Sequence, residues 1–552
     1  MGQGDPVFLE AVLNARGHGW SGIAASFHTF GAFATGGRLL ALRRVRAYNR
    51  GMSSLRLLFV LGLLLCHLGV AAKRPNLIFI LTDNHGAWTL GCYGNKDIKT
   101  PNLDRMASEG VQFMRAMASN PVCSPTRATY LTGLIPSQHG LHSFFDGKYM
   151  MGPQAYYALK EFDTLPKILH SEGYVCGLSG KWHLGDNINP QDGFSYWATM
   201  PRGGTSSMYD DPVILDGKVI KNSPKYMTDL WTEHGIKFIE QNKNNEKPFF
   251  LYLAYNGPYC LSRLLLRPAR NRWAQYYADK YLPSFPRDTQ HPWQYSNLDY
   301  HNNIVSIRRV AAEVSGIDDG VGQIFDTLKK HGLDDNTIVV FAGDQGWMGG
   351  HNGFFGMGDH TKPMAAHDMM MQVPMIFRHP KGMKPARSDA MVSNYDFLPS
   401  LLDYMGLKHR IPTKPKLPGR NFAPILRGQE IEWETKMFYE MESCRSVRTE
   451  KWKYVERRSP DGPGELYDMT IDPMERFNLF NQKAYAAKQR EMAEKLYRFF
   501  DEYADPEYDI WNGGRSKARR HHAPPDHPDY RKPKPRPWKA TVKKGEFVYP
   551  RR

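Results

Sequence analysis

The 552 residues predict an α/β protein: a large, mostly parallel sheet flanked by helices, followed by a smaller unit built on an antiparallel sheet. Three observations predict it. Four apolar runs of strand length end abruptly in polar clusters, helix-compatible stretches lie between them, and near residue 410 the texture changes to short alternating strands. Continuous apolar strands imply burial on both faces, the habit of parallel sheets covered by helices.

In chain order, NLIFILTDNHG (76–86) is the first run and ends in Asp83, Asn84 and His85. PNLDRMASEGVQFMRAM (101–117) reads as helix. PVCSPTRATYLTG (121–133) then sets Cys123 between two prolines that restrict the backbone on either side of the thiol. Helix-compatible residues follow, so Cys123 is expected at a loop-to-helix junction. LPKILHSEG (165–173) is helical, and VCGLSGKWHLG (175–185) is a strand ending in Lys181 and His183. PFFLYLAYNGPY (248–259) runs into Asn256; VSGIDDGVGQIFDTLKKHG (314–332) is helical; TIVVFAGDQGW (337–347) ends in Asp344 and Gln345. In open α/β sheets the ligand site lies beyond the carboxyl ends of the strands. Each polar cluster alone reads equally well as a turn or a solvated loop, and their joint appearance at one edge makes them site candidates.

Beyond the proline-rich linker KHRIPTKPKLPG (408–419), residues 432–458 alternate aromatic and charged residues as short strands. A helix is expected near AYAAKQREMAEKLYRFFDEYA (484–504). The expected divisions are an upstream extension outside the fold (1–51), a signal peptide (52–72), a catalytic domain (73–410), a smaller C-terminal subdomain (411–510) and a basic, proline-rich tail (511–552). The signal reading rests on Arg56, the apolar run Leu57–Val70 and small residues up to Ala72. That run is shorter than the ~20 residues a membrane span needs. It predicts a secreted protein, or a lysosomal or periplasmic one; membrane association follows only if the segment stays uncleaved.

The formal net charge is +16, but Arg515–Arg552 holds 13 Lys/Arg against 3 Asp/Glu, so most of the excess belongs to the tail. The tail reads first as an extended, partly disordered or surface-wrapping extension, with an anchor for sulfated polyanions as the sharper reading, and no nucleic-acid partner is expected. Of six cysteines, Cys66 leaves with the signal. The odd five that remain flag one with a task other than pairing, and no CxxC pair indicates a cysteine zinc site.

Cys123, Ser124, Pro125, Thr126 and Arg127 match a CxPxR core continued by LTGLIPSQHG. With LTDN, GCYGN, TPNLDRMASEGVQF, GKWHLG, FFLYLAYNGP, GDQGW and ELYDMTIDPMERFNL in order, the chain from Arg74 to about Phe500 resembles the formylglycine-dependent type I sulfatases of the alkaline-phosphatase-like superfamily. The resemblance implies an alkaline-phosphatase-like sandwich and a sulfuric ester hydrolase. It also implies that a formylglycine-generating enzyme converts Cys123 to formylglycine. Hydration of that aldehyde gives a diol: one hydroxyl attacks sulfur and the other later expels sulfate, dividing one displacement into two steps.

By the same resemblance Asp83, Asn84, Asp344 and Gln345 hold Ca²⁺, or Mg²⁺. Arg127, Lys181 and Lys362 hold the sulfate and diol, and His183 is the base. Three departures from the commoner pattern stand out. Asn84 replaces a second aspartate and Gln345 an Asn or His, so only two of four ligands carry charge. Tyr259 stands where a histidine is usual, a poorer acid at neutral pH. Lys362 aligns only approximately, with His351, His360 and His367 near it as alternative acids or glycan contacts. The expected substrate is a sulfated carbohydrate. A phosphonate or phosphate ester hydrolase of the same superfamily, and a catalytically weak sulfated-glycan-binding protein, are the alternative readings.

Overall fold

The computed structural model describes residues 73–458 and 462–521, together with 523, 527–529, 541–543 and 546–548. The upstream extension, the signal segment and much of the basic tail lie outside the described residues. Among the described residues no helix is long and apolar enough to cross a membrane.

The main sheet has eleven strands: β1 (Asn76–Asp83), β2 (Val111–Met117), β3 (Val175–Gly180), β4 (Phe194–Thr199), β5 (Val213–Leu215), β6 (Lys218–Ile220), β7 (Phe249–Pro258), β8 (Thr337–Gly343), β9 (Gln372–Val373), β10 (Met375–Arg378) and β11 (Ala386–Ser393). Their order is β11-β2-β10-β8-β1-β7-β3-β4-β5-β6, with β9 beside β2. The centre, β8-β1-β7-β3-β4, is parallel throughout. β10 runs antiparallel to both β8 and β2, so β2 again points with the central strands.

β1, β7 and β8 are buried along their whole length, as apolar runs without alternation require. β1 shows how both faces are used: Leu77, Phe79 and Leu81 enter one core, Ile78 and Ile80 the other. Four helices matter here: α1 (Pro101–Ser108), α2 (Cys123–Thr132), α3 (Met227–Asn242) and α4 (Ile304–Lys330). α2 joins the first core, and α3 and α4 the second.

Two boundaries differ from the sequence reading. The stretch 101–117 is not one helix: α1 stops at Ser108 and VQFMRAM is β2. Gly110 ends the helical run, where a Cβ would meet Phe377 O at 2.1 Å, and Val111 and Phe113 recur at the period of a strand pairing on both edges. α4 begins ten residues earlier than the apolar pattern alone indicates, because the Asn303 side chain accepts from the Val305 and Ser306 amides and caps it there.

The second sheet is the antiparallel meander β12 (Lys436–Met441), β13 (Cys444–Thr449), β14 (Trp452–Arg457) and β15 (Glu465–Asp468). A terminal helix, α5 (Ala486–Tyr503), lays Met492, Leu496, Phe499 and Phe500 against Phe438, Val447, Tyr454 and Leu466. The backbone before Cys123 is tied to this sheet: the Glu440 amide donates to Ser119 O (2.9 Å) and Asn120 Nδ2 to Glu440 O (2.6 Å).

Candidate active site

The carboxyl ends of β8, β1, β7 and β3 lie side by side, and the residues just beyond them meet. Three backbone bonds lock that edge: Asp344 N to Thr82 O (2.8 Å), Tyr259 N to Asp83 O (3.1 Å) and Lys181 N to Ala254 O (2.7 Å). Gly180 permits the last of these. Its φ is +118°, and a Cβ would stand 1.9 Å from Ala254 O, so only glycine lets β3 end so close to β7. Cys123 arrives from the same side as the first residue of α2, in a loop fixed by the bond from Val122 N to Asn120 Oδ1 (2.8 Å).

Around Cys123 the charged groups are paired and dry. Its thiol donates to Asp83 Oδ1 (3.3 Å) and accepts from Gln345 Nε2 (3.3 Å). Lys181 Nζ pairs with Asp83 Oδ2. Arg127 Nη2 donates to Asp344 Oδ2 (2.8 Å), lies 3.7 Å from Asp83 Oδ2, and its other nitrogen Nη1 donates to Lys181 O (2.9 Å). Asp344 Oδ1 accepts from the amides of Asn84 and Gln345, each at 2.9 Å. Burial works hardest against the Lys181 ammonium, yet Asp83, Cys123 and Asp344 together outweigh it and its pKa rises above the ordinary lysine value. Burial and then Asp83 push the Asp344 carboxyl up, and burial pushes the Cys123 thiol far up. An unmodified Cys123 is therefore a poor thiolate nucleophile.

Two acceptors are left over. Asn84 donates to Met357 Sδ (3.0 Å) and Gln345 to Cys123, which leaves the amide oxygens Asn84 Oδ1 and Gln345 Oε1 buried and without partners. Ligand atoms of Asp83, Cys123 and Asp344 lie within 4.8 Å of one another. Orphaned buried acceptors are costly unless something absent pairs with them. Two carboxylates and two free amide oxygens form an oxygen donor set that fits a hard divalent cation.

His183 stands beside the pair Lys181 and Arg127. Nε2 lies 3.3 Å from Phe145 O, an acceptor, so Nε2 carries the proton and Nδ1 is buried, unprotonated and without a partner. Burial, then Lys181 and Arg127, hold the ring well below the usual histidine pKa, so it is neutral. Tyr259 is buried with its ring 5.5 Å from Lys181 Nζ, and burial, then Asp83, keep its phenol protonated far past the usual range. Lys362 stands apart: its ammonium rests over the Tyr295 ring (5.0 Å) and makes no hydrogen bond or ion pair with the Cys123 group.

Sequence reasoning missed Met357, Gly203 and Gly204. Met357 reads as a core residue, and its contact with Asn84 is visible only in three dimensions. Gly203 in PRGGTSS makes room for a ring, since a Cβ there would fall 1.9 Å from His183 Nε2; Gly204 lies beside the Tyr259 hydroxyl, where a Cβ would make ordinary contact at 3.5 Å. Asn256 holds the next residue, donating to Thr205 Oγ1 (3.1 Å) while accepting from Trp231 Nε1 (2.9 Å).

Residues 75–407 match the sulfatase family model, and residues 357–502 match the model of the C-terminal part of N-sulphoglucosamine sulphohydrolase. The chain belongs to the sulfatase family. As a sulfatase it is a sulfuric ester hydrolase with the mixed α/β architecture of that family. Similar proteins include the N-acetylglucosamine-6-O-sulfatase of Bacteroides thetaiotaomicron, 27% identical over 521 residues, covering 79% of this chain and 88% of that one. The N-acetylgalactosamine-6-sulfatase of Mus musculus is 29% identical over 416 residues, covering 68% and 71%. Among solved structures, a complex with its substrate D-glucosamine-2-N,6-O-disulfate aligns with a TM-score of 0.62 at 26% identity, over 79% of this sulfatase and 99% of that chain.

Proposed function

We propose that this sulfatase removes a sulfate ester from a sulfated carbohydrate, with Cys123 matured to formylglycine by a formylglycine-generating enzyme and Ca²⁺ or Mg²⁺ held by Asp83, Asn84, Asp344 and Gln345. The observation that carries the reading is the pair of unpartnered buried oxygens, Asn84 Oδ1 and Gln345 Oε1, beside two carboxylates and Cys123. When bound, the cation supplies Lewis acidity and charge neutralisation, and the hydrated aldehyde supplies two hydroxyls on one carbon. The chain's own groups do the rest. Lys181 and Arg127 bind and orient the sulfate oxygens. His183 Nδ1, neutral and unpartnered, takes a proton. The Tyr259 hydroxyl, held protonated, donates a hydrogen bond toward the bridging oxygen.

The substrate class rests on likeness to enzymes named for sulfated amino sugars and on the substrate in the similar solved structure. Secretion, or a lysosomal or periplasmic location, rests on the run Leu57–Val70. The test is sulfate release from 6-sulfated N-acetylglucosamine and from sulfated glycosaminoglycan fragments, using protein whose peptide mass confirms formylglycine at residue 123. Release is expected from the parent and none above background from Cys123→Ala; no release by the matured parent on any sulfated glycan overturns the reading.

A further inference from the structure

Four charged side chains surround Cys123, and their formal charges cancel: Asp83 and Asp344 against Arg127 and Lys181, all essentially inaccessible to water. Each carboxylate already has a cationic partner within the chain. Asn84 and Gln345 contribute oxygen without charge, and the neighbour behind Asn84 is the neutral Met357. A divalent cation entering alone would raise this dry centre to a formal +2 and stand against the Lys181 ammonium and the Arg127 guanidinium, where repulsion is poorly screened. An anion entering alone would have to draw Lys181 and Arg127 away from carboxylates left buried and uncompensated, a costly separation.

Both costs vanish together. A sulfate group takes up the Lys181 and Arg127 donors while a cation takes up the Asp83 and Asp344 oxygens, so each ligand replaces the partner that the other removes. We propose that divalent cation and sulfate anion enter this centre as a linked pair, each raising the affinity for the other, because the internal pairs Lys181–Asp83 and Arg127–Asp344 compete with either ligand alone. This rests on the sulfatase reading of the site and deepens it. Linkage is reciprocal, so one factor governs both affinities.

The experiment is calorimetric titration of the matured full chain with CaCl₂, with and without saturating inorganic sulfate at matched ionic strength, and the reverse titration of sulfate with and without calcium. Inorganic sulfate is not turned over, so binding is read directly. The calcium Kd is expected to fall about tenfold or more when sulfate is present, within the usual range of coupling, and the sulfate Kd by the same factor. Equal calcium affinity in both conditions, or no calcium binding even with sulfate, overturns the proposal. Asn84→Asp supplies the second arm, being nearly isosteric and adding one negative charge. It is expected to tighten calcium binding in the absence of sulfate about tenfold and to shrink the coupling, with thermal unfolding used to confirm the fold; unchanged affinity and coupling in a folded variant overturns the charge argument. Glycan desulfation is measured on the same preparation. Desulfation with uncoupled binding refutes the linkage alone, and coupled binding without desulfation refutes the sulfatase reading of the substrate instead.

Discussion

A methyl group on Gly203 would stand 1.9 Å from His183 Nε2, inside the van der Waals surface of a ring that is itself buried and held by Phe145 O. The ring, not the backbone, has to give way, and with it goes the position of Nδ1. Gly203→Ala is therefore expected to lower kcat about a hundredfold, within the range of losing a positioned general base, while KM changes little. Steady-state kinetics on a sulfated sugar checks this, and a loss confined to KM would remove His183 from the proton traffic. The case also shows what was legible. Asp83, Lys181 and Asp344 were readable because polar residues at the ends of apolar runs have a known place in an open sheet. Gly203 and Met357 were not, because a glycine in a loop and a methionine in an apolar stretch carry no signal until another element approaches them. Lys362, placed only approximately by its distance from the QVPMIFRHP strand, has its ammonium over the Tyr295 ring, a contact that sequence spacing does not reveal.

At the scale of elements, the parallel core was readable from composition, since nothing but burial on both faces explains runs as apolar as those of β1, β7 and β8. Strand order was not, because neighbours such as β1 and β8 are paired across more than 250 residues. The misread stretch 101–117 failed for a local reason: eight helical residues and seven extended ones share apolar content, and only the partners on both sides of β2 decide the second half. The C-terminal unit was readable because its strands alternate and its last helix has a clear apolar face. That face makes a prediction. Phe499 on α5 stacks on Phe438 of β12 with ring centroids 3.8 Å apart, so Phe499→Ala removes both the buried ring and the stack. We expect a loss of about 3 kcal/mol, seen as a lower urea midpoint with an unchanged slope. A change under about 1 kcal/mol would mean that α5 is not docked as described.

Over the whole molecule, the two sheets are joined by a largely buried ionic seam at the rim of the main sheet. Asp368, just before β9, accepts from Arg448 Nε of β13 (2.9 Å) and Lys453 Nζ of β14 (2.8 Å), and Lys453 also reaches Glu475 Oε1 (2.6 Å). Glu475 in turn accepts from the Asp368 amide (2.6 Å), which closes the circuit. The seam ties the segment just before β9 to β13 and β14 of the second sheet. Burial alone would raise the Asp368 carboxyl, but Lys453 and Arg448 overcome it and bring it down from 3.8 to about 2. Between those two values the unfolded chain binds more protons than the folded one. The stabilisation is therefore complete above about pH 4 and is lost as pH falls through about 2, and it amounts to about 2 kcal/mol. Asp368→Asn cannot titrate, so the gap in unfolding free energy between parent and variant is expected to be flat at neutral pH. Below pH 4 it should close at a rate approaching 1.4 kcal/mol per pH unit. Chemical denaturation at a series of pH values reads that gap directly. Parallel curves down to pH 3 would show that the seam contributes no pH-dependent stability and that the two sheets are held by their apolar contacts.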